Sequence, residues 1–217
     1  MASGLRRRSL PFRAVLWDID GTLADSEPLH ERAFVEATRA LGLALPADFH
    51  AALLGRTETE AHAWLVDRCG LELSLAAWTE RRLAAYFAGL EDVTPHPVAI
   101  GLWHRFEALG LPQGTVSNSD RLIVNANLAR LGLDRPGLVS ISRNDVRAAK
   151  PDPEPYLRGA HLLGLDPDEI AVVEDSATGL RAAQAAGMRV YMMPGFTGAG
   201  HGDWQPLAAL AEVAEDG

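Results

Sequence analysis

The chain has 217 residues, 47% of them hydrophobic and 23% charged. That is ordinary for a soluble globular protein and allows one large domain, or one domain with a smaller insertion, around a sizeable core. A formal net charge of −9 and a pI near 5.2 argue against a general nucleic-acid binder, whose surface would be basic. An anionic substrate stays compatible with that charge, because a bound divalent metal inverts the local field. Cys69 is the single cysteine, so no intrachain disulfide is possible. It reads as a small core residue, with no thiolate metal site expected, in a reducing cytoplasm.

Arg6, Arg7 and Arg8 lie close to the amino terminus, but no apolar stretch of signal-peptide length follows them. They read as a short frayed tail. No window approaches the roughly 18 consecutive apolar residues of a membrane span. The first structured segment is Ala14-Val15-Leu16-Trp17-Asp18-Ile19-Asp20-Gly21-Thr22-Leu23. Its near-continuous apolar run suits a strand buried on both faces of a parallel sheet. The run ends in two carboxylates one residue apart, then a glycine and a hydroxyl. Open α/β sheets bind ligands beyond the carboxyl ends of such strands. Period-two geometry points Asp18 and Asp20 the same way if the strand persists that far. Like charges this close need a cation or a shared proton. A strand followed by a plain Asp-Gly turn is the alternative.

Residues 24–92 show no convincing buried strand. Leu29, Ala33, Ala37 and Leu41 form a helical stripe that Gly42 can end. Ala61 to Cys69 and Trp78 to Leu90 are helical in pattern too. Residues 26–92 are therefore expected to be an all-helical insertion, with residues 1–25 and 93–217 forming the core domain. The junctions fall near Ala24–Glu27 and Val93–Pro97, and Thr94-Pro95-His96-Pro97 reads as an extended linker.

From residue 94 to 194, short apolar runs alternate with helical patterns, the mark of repeated strand–helix units. Strands are expected at 14–19, 114–118, 138–142, 170–174 and 189–193, and helices at 97–109, 120–131, 153–163 and 177–186. Gly110, Gly132, Gly164 and Gly187 stand at helix stops. A short helix is expected around Pro206–Ala214. The fold class is α/β: a Rossmann-like parallel sheet flanked by helices, carrying the helical insertion.

Four strand ends or following loops carry polar residues: Asp18 to Thr22, Thr115-Val116-Ser117-Asn118-Ser119, Lys150-Pro151-Asp152-Pro153 and Glu174-Asp175-Ser176. Each follows its strand, so all belong to one edge of the sheet. Paired acidic clusters, a hydroxyl and a lysine there suit phosphoryl transfer, in which carboxylates hold Mg²⁺ and positioning and charge neutralisation carry the catalysis. Taken singly, Ser117-Asn118 could be a turn, Lys150 a solvated lysine, and Glu174-Asp175-Ser176 a helix cap.

In this order the motifs resemble those of the haloacid dehalogenase-like hydrolases, in the helical-cap branch that includes phosphatases and β-phosphoglucomutases. The matching segments are Asp18-Ile19-Asp20-Gly21-Thr22-Leu23, Asp25-Ser26-Glu27-Pro28-Leu29-His30, Val116-Ser117-Asn118-Ser119, Lys150-Pro151-Asp152-Pro153 and Glu174-Asp175-Ser176-Ala177-Thr178-Gly179. The resemblance covers about residues 13–195. It implies that Asp18 is the nucleophile and a metal ligand. Asp20 would be the general acid/base, with its backbone carbonyl on the metal. Gly21 and Thr22 would offer N–H groups to the phosphoryl oxygens. Ser117 would hydrogen-bond the phosphoryl group beside the Asn118 backbone, and Lys150 would neutralise the transferring group. Asp175 would hold Mg²⁺, with Glu174 either a direct ligand or a support behind one. His30 could approach Asp20 or lie on a helix surface.

The implied reaction is Mg²⁺-dependent hydrolysis of a small phosphorylated metabolite, sugar- or polyol-phosphate-like, through an aspartyl phosphate. A β-phosphoglucomutase-like mutase is the alternative, and a catalytically idle binding module is disfavoured by intact motifs. Asp20 also disfavours haloacid dehalogenation, which needs no acid/base two residues on. In the cap loop Leu54-Gly55-Arg56-Thr57-Glu58, Glu58 stands where β-phosphoglucomutases carry an Arg for the second phosphate, and Arg56 is displaced. A carboxylate there would repel a distal phosphate. The same segment also reads as a helix start, with Thr57 as cap and Glu60 in the first turn. Arg56 and Glu58 are the candidate specificity residues. Arg81 and Arg82 read as solvated, His104 and His161 as structural, and His201 has no assignable role. A cytoplasmic monomer acting on a small metabolite, without nucleic acid or membrane, is expected.

Overall fold

The computed structural model describes residues 10–53, 57–197 and 202–216. Arg6 to Arg8, Leu54, Gly55, Arg56 and His201 lie outside them. In chain order the strands are β1 (Ala14–Trp17), β2 (Ala24–Asp25), β3 (Thr94–Pro95), β4 (Gln113–Val116), β5 (Val139–Ile141), β6 (Ile170–Glu174), β7 (Arg189–Met192) and β8 (Gln205–Pro206). The helices are α1 (Glu27–Arg39), α2 (Phe49–Leu53), α3 (Glu58–Cys69), α4 (Leu75–Ala88), α5 (Pro97–Ala108), α6 (Arg121–Arg130), α7 (Glu154–Leu163), α8 (Ala177–Ala185) and α9 (Leu207–Asp216).

Six strands form one parallel sheet in the order β5-β4-β1-β6-β7-β8. All four residues of β1 are buried. Val15 and Trp17 join one apolar cluster with α5, α6 and α9, while Ala14 and Leu16 join another with α7 and α8. The period of two thus divides one strand between two helical layers. The Trp17 indole donates to Gln113 Oε1 at 3.0 Å, and Gln113 Nε2 donates to the Trp103 carbonyl at 3.0 Å. These buried polar groups on the core are satisfied by each other. The chain moves outward from β1 to β4 and β5, then crosses back to β6. That reversal puts the topological switch point, where open sheets bind ligands, at the carboxyl end of β1.

β1 ends at Trp17, although the Asp18 N–H still donates to Val173 O at 3.0 Å. Beyond it the Ile19 carbonyl collects the N–H groups of Thr22, Leu23 and Ala24, which closes a tight turn and stops the ladder. Residues Ala24–Asp25 and Thr94–Pro95 then pair antiparallel, Ala24 against Pro95 and Asp25 against Thr94. The expected linker at Thr94–Pro97 is therefore half strand and half helix start: β3 followed by α5 with Pro97 in its first turn.

Between these paired strands lie α1 to α4. Phe34, Ala37, Ala61, Trp64, Leu65, Leu71 and Trp78 form a third apolar cluster. Leu29, Ala33 and Tyr86, from the near ends of α1 and α4, instead join the cluster of the sheet. No periodicity in the sequence marks helix α2, since its five residues are too few to show one. α3 begins with a capping box: Thr57 Oγ1 accepts from the Glu60 N–H while Glu60 accepts from the Thr57 N–H. Cys69, expected in the core, is only half-buried at the end of α3. Among the described residues no helix is long and apolar enough to cross a membrane.

Candidate active site

Lys150 lies in the loop before α7, with 5% of its surface exposed. Its ammonium donates to Asp18 Oδ1 at 2.6 Å, to Glu174 Oε1 at 2.5 Å and to the Val116 carbonyl at 2.8 Å. All three of its donors are used. Burial works against its charge, but Asp18 and Glu174 more than offset this and raise its proton affinity. Truncating one side of such a buried pair typically costs about 3–5 kcal/mol, because the partner charge is stranded. Asn118 holds the loop: its Nδ2 donates to the Lys150 carbonyl at 3.1 Å, and its Oδ1 accepts from the Lys150 N–H at 3.0 Å.

Glu174, at the end of β6, is wholly buried. Its Oε1 accepts from Lys150 and from the Tyr156 hydroxyl at 2.8 Å. Its Oε2 accepts from the Asp175 and Ser176 N–H groups, both at 3.2 Å, and from Ser176 Oγ at 2.9 Å. Room for this side chain comes from Gly179, where a Cβ would come within 1.7 Å of Oε1. Gly21, at φ +82°, is needed for two reasons: its left-handed backbone, and a Cβ position 2.2 Å from Asp175 Oδ2.

Asp18, Glu174 and Asp175 each present a carboxylate oxygen within 4.8 Å of the others. Burial raises the Asp18 proton affinity; Lys150 counters it, while Glu174, Asp175 and Asp20 add to it. Asp175 is pushed up to about 7 by burial and by Glu174, with Lys150 opposing. One lysine faces three carboxylates here, and the donors are all oxygens. A hard divalent cation fits that charge and donor set.

Asp20 has a different setting. Oδ1 accepts from Ser26 Oγ at 2.6 Å and Asn127 Nδ2 at 3.0 Å, with His30 Nε2 at 3.2 Å. Oδ2 accepts from Ser119 Oγ at 2.7 Å and Ser117 Oγ at 3.1 Å. Burial would raise its proton affinity, but His30, Ser26 and Ser119 outweigh it and hold the carboxyl well below the usual carboxylate range.

The structure therefore gathers Asp18, Asp20, Ser117, Lys150, Glu174, Asp175 and His30, and brings Thr22 Oγ1 to 3.4 Å from Asp175 Oδ1. The Gly21 and Thr22 N–H groups, expected to face a phosphoryl group, donate within their own turn, to Ala24 O at 2.8 Å and Ile19 O at 3.2 Å. Glu58 is not a bare carboxylate: Arg82 donates to it from Nε at 2.9 Å and pairs through Nη2 at 2.8 Å. This corrects the reading of Arg82 as solvated, since its side chain is 11% exposed, whereas Arg81 is exposed as expected. His104 and His161 are exposed, His104 beside Glu107 at 3.2 Å.

Ser26, Tyr86, Ser119, Asn127 and Tyr156 join the site without a role legible in the sequence. The two serines stand inside recognised motifs. Asn127 leaves one trace, a polar residue on the buried side of α6 among Ile123, Val124 and Leu128. Two surface depressions lie elsewhere, one of about 570 Å³ around Trp64 and one of about 360 Å³ beside Gln113; neither is lined by Asp18, Asp20 or Asp175.

Fold and site define the class: an α/β enzyme whose acidic centre sits at the switch point of a parallel sheet, braced by one buried lysine. The haloacid dehalogenase-like hydrolase family matches residues 12–187. Hexitol phosphatase A of Escherichia coli (strain K12) is 34% identical over 186 residues, covering 82% of this chain and 81% of that protein. Fructose-1-phosphate phosphatase YqaB of the same organism is 29% identical over 185 residues, covering 82% and 94%. The crystal structure of CbbY from Rhodobacter sphaeroides in complex with phosphate superposes with a TM-score of 0.78 at 27% identity, covering 87% of this chain and 92% of that one. The chain belongs to the haloacid dehalogenase-like hydrolases, and within them is a phosphoric monoester hydrolase.

Proposed function

We propose that this protein is a Mg²⁺-dependent phosphatase of a sugar or polyol monophosphate, working through an aspartyl phosphate on Asp18. The observation that carries this reading is the pair of carboxylates two residues apart in unlike settings, the buried Asp18 on Lys150 and the partly buried Asp20 on a ring of neutral and imidazole donors. Asp18, held by a lysine, suits the nucleophile, and Asp20, held among hydroxyl, amide and imidazole groups, suits the group that exchanges protons. Hexitol and fructose-1-phosphate phosphatases among the relatives support the substrate class.

An Asp18 oxygen attacks phosphorus while the bond to the alcohol oxygen breaks, and Asp20, which must take up a proton before this step, gives it to that oxygen. Water then attacks the same phosphorus, Asp20 takes its proton, and the bond to Asp18 breaks to release inorganic phosphate. Lys150 holds Asp18 and offsets charge on the transferring group. Ser117 and the backbone beside Asn118 would face that group. Mg²⁺, held by Asp18, Asp175 and the Asp20 backbone carbonyl, would supply further charge neutralisation when bound. Glu174, with both oxygens occupied, suits support of Lys150 and of the Asp175 backbone better than direct ligation.

Residues 26–92 are proposed as a lid, entering and leaving through the paired β2 and β3 strands. Closure would exclude water and bring the start of α3 to the leaving group. Because Arg82 neutralises Glu58, the pair offers hydrogen bonds suited to hydroxyl groups, and Arg82 itself is not a free cation for a second phosphate. This favours a monophosphate hydrolase over a mutase.

A screen of sugar phosphates, phosphoglycolate and nucleotides, with Mg²⁺ or EDTA, tests the reading. Phosphate release from hexose or hexitol monophosphates should vanish in EDTA and return with Mg²⁺. Full activity in metal-free buffer, or release from no ester, overturns it. Conversion of β-glucose 1-phosphate to glucose 6-phosphate would establish the mutase instead.

A further inference from the structure

We propose that Asn127 is a positioning residue for Asp20, and that Tyr86 ties it to the lid. This rests on the phosphatase reading above. Asn127 is completely buried in α6, where its neighbours on the inward side are Ile123, Val124 and Leu128. An amide in such a place costs free energy unless both its ends are bonded. Both are: Nδ2 donates to Asp20 Oδ1 at 3.0 Å, and Oδ1 accepts from the Tyr86 hydroxyl at 2.9 Å. The amide cannot be reversed. An ionised carboxylate only accepts, so the NH₂ must face Asp20 and the carbonyl must face the phenol.

Tyr86 belongs to α4, inside residues 26–92, while Asn127 belongs to the helical layer on the sheet. The Tyr86 ring lies 4.6 Å from the His30 ring, and His30 Nε2 lies 3.2 Å from the same Asp20 oxygen. A closed circuit results: Asp20, Asn127, Tyr86, His30 and Asp20 again. Within it Asn127 is the member supplied by the layer beneath the lid. Packing explains neither polar group, since a phenyl ring would fill the Tyr86 site and a leucine approximates the volume of Asn127. Their shared function is to fix the torsion of the Asp20 side chain and make it depend on where α4 sits. A misplacement of about 1 Å at a reacting group costs on the order of 10²-fold in rate.

Asn127→Leu, Tyr86→Phe and the double variant test this in the intact chain. Activity is read as kcat/KM, which ends with alcohol release, on a hexitol 6-phosphate and on p-nitrophenyl phosphate. The nitrophenolate leaves without a proton, whereas the alkoxide needs one. Asn127→Leu should lose roughly 10- to 100-fold on the hexitol ester through kcat, with KM nearly unchanged, and less than about threefold on the nitrophenyl ester. Tyr86→Phe, which preserves the ring, should show a smaller loss of the same pattern. The double variant should be no worse than Asn127→Leu, as expected of groups acting in series. Equal losses on both esters, or no loss on either, overturn the proposal. If the wild type cleaves neither ester, the phosphatase reading fails, and crystal structures of the variants decide the positioning role separately. An Asp20 side chain unmoved in both single variants refutes it. Should Asn127→Leu not fold, Tyr86→Phe carries both readouts alone.

Discussion

Asp18 and Asp20 leave the same strand two residues apart, and the molecule treats them in opposite ways. Asp18 is bonded by the core alone: Lys150 from the loop before α7, itself fixed by Glu174, Asn118 and the Val116 carbonyl. Asp20 is bonded from two sides, by Ser117, Ser119 and Asn127 of the core and by Ser26, just before α1, and His30 of α1. The first carboxylate sits among other negative charges and resists ionisation; the second sits among donors that favour it. Sequence neighbours thus acquire different chemistry from the layers they face, one supplied by the core and the other shared with a segment proposed to move.

The largest expected effect breaks the Asp18 half. Asp18→Asn should abolish turnover, because an amide is a poor nucleophile and a poor cation ligand. The fold should persist with a melting temperature within a few degrees, because Glu174 keeps the Lys150 charge paired and an amide keeps the volume of the carboxylate. A metallofluoride or trapped phosphoryl adduct in the wild type should lie on Asp18; an adduct elsewhere, or an active Asp18→Asn enzyme, contradicts the assignment.

Breaking the Asp20 half should be milder. Asp20→Ala should lose on the order of 10²- to 10⁴-fold on an alkyl phosphate, the worth of a placed acid/base. Near-normal kcat on that ester would assign the proton to another group. The contrast between the halves sharpens if Asp20→Ala still forms a phosphoryl-enzyme with p-nitrophenyl phosphate, which mass spectrometry would detect.

The smallest effect belongs to the face of the proposed lid. Glu58→Gln, which keeps the volume, and Arg82→Gln, which shortens the side chain, each break the partly buried ion pair. They should move relative kcat/KM values among hexitol, hexose and bisphosphate esters by roughly tenfold, while leaving p-nitrophenyl phosphate within about twofold. Arg82 left bare by Glu58→Gln should favour the bisphosphate. An unchanged substrate profile in both variants would remove this face from specificity.

Local sequence carried the sheet. The buried run of β1, the repeated helix, glycine and strand units, and the polar residues just past each strand follow from period and turn chemistry, so their elements match within a few residues. The carboxyl-edge placement of Asp18, Ser117, Lys150 and Glu174 follows as well, because Asp18, Ser117 and Glu174 stand at the ends of parallel strands and Lys150 in the loop between β5 and α7. Less was legible where elements are short. β2, β3 and β8 have two residues each, and α2 has five, so no periodicity marks them.

Side-chain partners across long separations were settled only by tertiary structure. Arg82 looks solvated until α4 packs near the start of α3 and brings Glu58 to it. Glu58 then loses the repulsive character that its charge alone implies. Asn127 looks like an indifferent helix residue until α6 faces Asp20 on one side and Tyr86, 41 residues away, on the other. Local chain statistics fix which elements form and where their ends lie, since those depend on backbone sterics and nearby burial. What a buried polar atom bonds to depends on which helices the packed core brings together, and no window of neighbouring residues contains that information.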